Sequence, residues 1–112
     1  MDGRSGPGTA VDVEAVAERA VRCRSVARIS TGPFGEVATY LAGRRVPGVR
    51  LRNGRLEIHV VACWGAEVPK LAGEVRNAVR PLSGELPIDV HVDDVDVPDA
   101  ANGAQVYLPD TE

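Results

Sequence analysis

RRVPGVRLRNGRLEIHV, residues 44 to 60, holds the pair Asn53-Gly54 and five arginines, Arg44, Arg45, Arg50, Arg52 and Arg55. Asn-Gly is the favoured centre of a two-residue β-hairpin turn, because both positions need a positive φ that Gly adopts freely and Asn tolerates. A turn there sets the register: Arg52 opposes Arg55, Leu51 opposes Leu56, Arg50 opposes Glu57 and Val49 opposes Ile58. Opposed residues share a face and successive residues alternate. Val49, Leu51, Leu56, Ile58 and Val60 therefore form an apolar face to be buried. Arg50, Arg52, Arg55, Glu57 and His59 form a charged face to be exposed. The arginines read as the wet side of a half-buried hairpin.

Upstream of the hairpin, Thr9 with Asp12 three positions on resembles a capping box, and Val13, Val16, Ala17, Ala20 and Val21 recur at helical spacing. This predicts an amphipathic helix of about 12 to 14 residues. VARIS (26–30) and EVATYL (36–41) are short β-type runs joined by TGPFG, whose Gly and Pro favour a turn. That loop does not fit a phosphate cradle. It lacks the Gly-Lys-Ser/Thr ending, and a strand rather than a helix N-terminus follows it.

Downstream, Val61 and Cys63 fall on the arginine face and require cover, from a helix of the same chain or from a second subunit. AEVPKLAGEVRNAVRPL (66–82) places Val68, Leu71, Val75, Val79 and Leu82 on one stripe, with Pro69 tolerable in the first turn. It predicts a second helix closed by Pro81 and Gly84. LPIDVHVDDVDV (86–97) alternates at Ile88, Val90 and Val92, then shifts phase to Val95 and Val97. A β-bulge or the strand's end is expected at Asp93-Asp94. The fold class is thus α+β: a small antiparallel or mixed sheet with two helices, in the order α-β-β-β-β-α-β.

With 112 residues the chain suits one domain, expected over 9–97, with a Gly-rich disordered lead-in at 1–8 and an acidic, loop-like tail at 98–112 in which Val106-Tyr107-Leu108 could dock. Its net charge of −3 conceals a division. Residues 1–84 carry 13 basic and 8 acidic side chains, whereas residues 85–112 carry 8 acidic and no basic ones. Such asymmetry is compatible with plain solvation or with head-to-tail association. No apolar run is long enough to cross a bilayer and no signal peptide opens the chain, so a cytoplasmic location is expected, with Cys23 and Cys63 kept as thiols.

The chemical inventory is sparse. His59 and His91 are the only histidines, and neither they nor the cysteines show zinc-site spacing. His59 and Cys63 share a strand face but stand about 13 Å apart along it, too far for one ion. Asp89, Asp93, Asp94, Asp96 and Asp99 do not follow calcium-loop spacing. Glu57 with His59 could in form serve as an acid-base pair, but an exposed sheet face offers no pocket. No enzyme, cofactor or metal is expected from this reading. An anion- or nucleic-acid-binding module using the arginine-rich segment 44–55 remains the alternative, although the segment lacks the interleaved aromatic platforms or reading helix of a specific grip.

RSVARIS, VPGVRLR with LEIHVVACWG, VPKLAGEVRNAVRPL and SGELPIDVHVDDVDV together resemble the alkaline shock protein family, the envelope stress response family of Gram-positive bacteria, in a short high-GC form. The likeness spans about residues 11–97. Its most telling part is the strand ending in Trp64-Gly65, the V-x-x-L-A-x-x-V-R-x-x-V helix and a Gly before a V-x-V-x-x-V strand. Ser25-Val26 departs from the Gly-Val that often opens the first strand, and Arg76 stands where Gln is common. The resemblance implies a small non-enzymatic cytoplasmic protein of envelope homeostasis, without cofactors, held at the membrane by a separate anchor protein and in some members self-assembling. The expected mode of action is self-association or partner docking through a sheet edge and the region of Val61, Cys63 and Trp64, with no nucleic acid bound and no direct membrane insertion.

Overall fold

A computed structural model describes residues 11–98. Helix α1 (Val13–Val21) starts where the Asp12 side chain accepts a hydrogen bond from the Ala15 amide at 3.1 Å. Asp12 is therefore the N-cap, and the helix is nine residues long, shorter than its apolar spacing suggests. Thr9 lies outside the described residues. Val13, Val16 and Ala20 turn inward. The turn after α1 is fixed by Glu74, whose carboxylate accepts from the amides of Arg24 and Ser25.

Strands β1 (Val26–Ile29), β4 (Val49–Arg52), β5 (Arg55–Cys63) and β6 (Ile88–Asp96) form a mixed sheet with β5 at its centre. The Asn53-Gly54 hairpin has the expected register, Val49↔Ile58 through Arg52↔Arg55. Asn53 and Gly54 both adopt positive φ, 54° and 74°. One edge of β5 serves two antiparallel strands in turn. Its first half pairs with β4 and its second half with β1, through Val26↔Ala62 and Ile29↔Val60. Between them His59 is the crossover, its amide donating to the Gly48 carbonyl and its own carbonyl accepting from Ser30.

That crossover needs a glycine. Gly48 has φ 82°, and a Cβ there would meet the Ile29 side chain at 2.0 Å and the Ser30 carbonyl at 3.0 Å. Just before it, β2 (Ala38–Leu41) and β3 (Arg44–Pro47) make a separate two-stranded hairpin. β3 is one strand more than the sequence pattern suggests, because paired arginines and a proline do not read as a strand. β1 and β2, joined by TGPFG, do not pair with each other but belong to different sheets.

Helix α2 (Val68–Val79) begins with Pro69 in its first turn, where no intrahelical N–H is lost, and runs into a 3-10 turn, Arg80–Leu82. Leu71, Val75 and Val79 are fully buried, whereas Val68, expected on the same stripe, is exposed in the first turn. The helix carries the chain across to β6, parallel to β5 from Leu56↔Ile88 to Cys63↔Asp96. The expected bulge is present, since Val60 pairs with Val92 but Val61 with Asp94, leaving Asp93 extra. The strand continues past it to Asp96.

The core lies between the helices and one sheet face, where Val16, Ala20, Val49, Leu56, Ile58, Val60, Leu71, Val75 and Val79 pack together. Leu51 departs from expectation: it points to this face but is 45% exposed, while its partner Leu56 is fully buried. Leu56 is flanked by β6 through Ile88, whereas Leu51 sits on the outer strand. Arg50 departs too, being half-buried rather than exposed.

Candidate functional site on the open face of the sheet

The face turned away from the helices carries Arg55, Glu57, His59, Val61 and Cys63 from β5. In register beside them, β6 contributes Asp89, His91, Asp94 and Asp96. Its middle is not wet. His59 is only 6% exposed, and its ring stacks on that of His91 with centroids 4.3 Å apart and planes 3° from parallel. Parallel pairing places the two side by side at His59↔His91. The extra residue of the bulge then brings the Asp93 carboxylate to 2.9 Å from His59 Nδ1.

Asp93 is itself held. The Ser30 hydroxyl donates to the same oxygen at 2.7 Å and accepts from the Gly32 amide. On the other side of the ring, Glu57 Oε1 lies 3.5 Å from His59 Nε2 and accepts from Arg50 Nε at 2.9 Å. Burial raises the Glu57 carboxyl pKa, but the hydrogen bond and charge of Arg50, with His59 and Arg52, outweigh it and hold it below the ordinary value. Asp89, gripped through both oxygens by Arg55 at 2.6 and 2.8 Å, is likewise lowered, first by that hydrogen bond. His59 Nε2 is buried without a hydrogen-bond partner. One donor atom each of Glu57, His59 and His91 falls within 4.8 Å of the others, a grouping compatible with a metal ion.

The residues expected to interact are dispersed. Arg44 pairs with Glu14 of α1, Arg50 with Glu57 and Arg55 with Asp89, while Arg45 donates to the Gly35 carbonyl. Among the described residues only Arg52 of the five has no such bond, so most of the segment's charge is already engaged within the chain. Val61 is buried, not presented, and its cover is not a helix. An ion pair from Arg28 of β1 to Asp96 of β6, 3.0 Å, arches over β5 at the level of Val61 and Cys63. Beside it Arg28, Ser30, Pro33, Val61, Asp93 and Asp94 line a shallow polar depression. The open face is thus less uniformly exposed than the pattern of alternation suggests. Cys63 is half-buried and Trp64 is 60% exposed. Both cysteines are free thiols, and burial, followed by the Glu74 charge, pushes the Cys23 thiol pKa up.

The pairing of His59 with His91 escapes a search for short metal spacings because 32 positions separate them, yet the sequence does carry a signal. Leu56-Glu57-Ile58-His59-Val60 and Ile88-Asp89-Val90-His91-Val92 are the same pattern, apolar-acidic-apolar-His-Val. Two strands joined by one helix commonly lie parallel and adjacent, and alignment of the two patterns reproduces the observed register. Comparison with protein-family models, with curated proteins and with solved structures finds no match.

Proposed function

We propose that the protein is a non-enzymatic, cytoplasmic docking module of the envelope stress response type, which adds a strand from a membrane-anchored protein, or from another copy of itself, to the outer edge of β6. The edge itself carries the reading. Among the described residues β6 is paired on one side only, over a strand of nine residues. The Leu56 amide donates to the Pro87 carbonyl, so in the parallel ladder the odd-numbered residues at the start of β6 bond to β5 and the backbone groups of Ile88, Val90 and Val92 face outward. Arg76 Nε of α2 donates to the Ile88 carbonyl at 3.2 Å, and the open stretch begins at Val90. A free edge of this kind is a template for a strand from another chain.

The far end of that edge is apolar. Trp64 and Val97 directly follow the last pair, Cys63↔Asp96, with Trp64 at the start of the turn that the Ala66 amide closes on the Cys63 carbonyl. Trp64, Val95 and Val97 are all exposed. Aromatic residues in such positions are typical interface anchors. Charge narrows the guest. Two β6 edges meeting would bring Asp94, the one of the four β6 aspartates without a Lys, Arg or His partner among the described residues, against its own kind, whereas a strand carrying Lys or Arg is favoured. Basic segments next to a membrane anchor on its cytoplasmic side meet that requirement. The envelope context rests on the resemblance of residues 11–97 to the alkaline shock protein family.

Fractionation of native cells tests the reading. The wild-type chain is expected partly in the membrane fraction, and Trp64→Ala combined with Val95→Lys to shift it to the soluble one. Light scattering of the purified proteins identifies a second copy as the guest if the wild type forms an assembly that the double variant loses. A wild-type chain that is both wholly soluble and monomeric, or behaviour unmoved by the two substitutions, contradicts it.

A further inference from the structure

We infer that Glu57, His59 and His91 bind a divalent transition-metal ion, zinc in the first instance, on the open face of the sheet. Two observations carry this independently of the docking edge. The first is the grouping itself, two imidazoles and a carboxylate with donor atoms within 4.8 Å of one another. The second is His59 Nε2, on a side chain only 7% exposed, which is aimed into that grouping and has no hydrogen-bond partner. A buried polar atom left unsatisfied is costly, and bound metal is one way such an atom is satisfied.

The surroundings of His59 suit a ligand. Asp93 accepts at Nδ1, which places the proton there and leaves the lone pair on Nε2. A carboxylate behind a metal-bound imidazole is the usual arrangement that fixes tautomer and ring orientation. Ser30 and Gly32 continue the support one step further, since Gly32 N–H donates to Ser30 Oγ and Ser30 O–H to Asp93. The 3.5 Å between Glu57 Oε1 and His59 Nε2 is long for a hydrogen bond. It is close to the separation of about 3.3 Å between two ligands of a tetrahedral zinc ion with bonds of about 2.0 to 2.1 Å. His91 is exposed, so its ring is free to turn out of the stack and aim a nitrogen at the ion. Three protein ligands leave a fourth position for water or for a group from a partner.

Arg50 opposes the ion. Its guanidinium holds Glu57 Oε1, so metal must share the carboxylate with it. Removal of that charge should therefore strengthen binding, a response not expected of ions held elsewhere on the surface.

Calorimetric titration of zinc chloride into the full chain tests the site, with circular dichroism on each variant. One saturable ion per chain is expected. His91→Ala, at an exposed position that leaves the fold intact, should abolish binding, as should His59→Ala if it folds. Asp93→Asn should weaken binding about 10- to 100-fold, and Arg50→Gln should tighten it. Cobalt in place of zinc should give an absorption spectrum without a thiolate charge-transfer band, excluding Cys23 and Cys63 as ligands. Saturable binding that survives His91→Ala overturns the inference. So does no binding to the wild type.

Discussion

The sheet face under α1 and α2 and the face turned away from them are built on the same strand, β5, from alternate residues. Leu56, Ile58, Val60 and Ala62 enter the aliphatic core, where any apolar side chain of the right volume would serve. Glu57 and His59 enter a network of specific partners, Arg50 for Glu57, Asp93 for His59 Nδ1 and Ser30 for Asp93, with His59 Nε2 left without one. The helix-covered face is held by area and the open face by geometry. Stability and specificity therefore reside on opposite sides of one strand, and mutations on the two faces should differ in kind.

The largest losses are expected on the covered face. Ile58→Ala, at a fully buried position, should cost roughly 2 to 5 kcal/mol of unfolding free energy in urea titration. If it costs no more than an exposed substitution, that face is not the core. Gly48→Ala tests the seam where β4 gives way to β1. Between the strain of its φ and the overlap with Ile29 and Ser30, it should cost about 2 to 4 kcal/mol although it removes no apolar surface.

The open face should respond to acid. The Glu57 and Asp89 carboxyls are held below their ordinary values of 4.5 and 3.8. A carboxyl whose folded pKa is depressed contributes stability above its unfolded value and loses it as pH falls through the folded one. Stability should thus decline from about pH 4.5 downward. Glu57→Gln should flatten part of that decline in melts taken across the acid range, and an unchanged slope would show that the Arg50 pair adds nothing. The smallest effect is at Arg52, exposed and without an ion partner among the described residues. Arg52→Ala should stay within about ±0.5 kcal/mol.

Much of the covered face was legible in the sequence. Asn53-Gly54 sets the hairpin register, and the spacing of Leu71, Val75 and Val79 marks the inward side of α2. The phase shift at Asp93-Asp94 marks a true bulge. What escaped depended on neighbours distant in sequence. Alternation says which face Leu51 and His59 occupy, but not that Leu51 lacks a flanking strand or that His91 and Asp93 enclose His59. The hairpin arginines looked like free charge because their partners, Glu14 and Asp89, lie on α1 and β6. β3 was hidden since Arg44-Arg45 and Pro47 have poor strand propensity, and its pairing with β2 decides the matter.

Amide hydrogen exchange at Val90 and Val92, whose N–H groups face outward, against Ile58 and Val60, whose N–H groups bond inward to β6, tests the docking edge of β6. In the isolated chain the first pair should exchange fast and the second slowly. Added membranes from the native cells should slow Val90 and Val92 while leaving Ile58 and Val60 unchanged. Outward amides that stay fast at saturating membrane, with the protein demonstrably bound, would place the docking surface elsewhere.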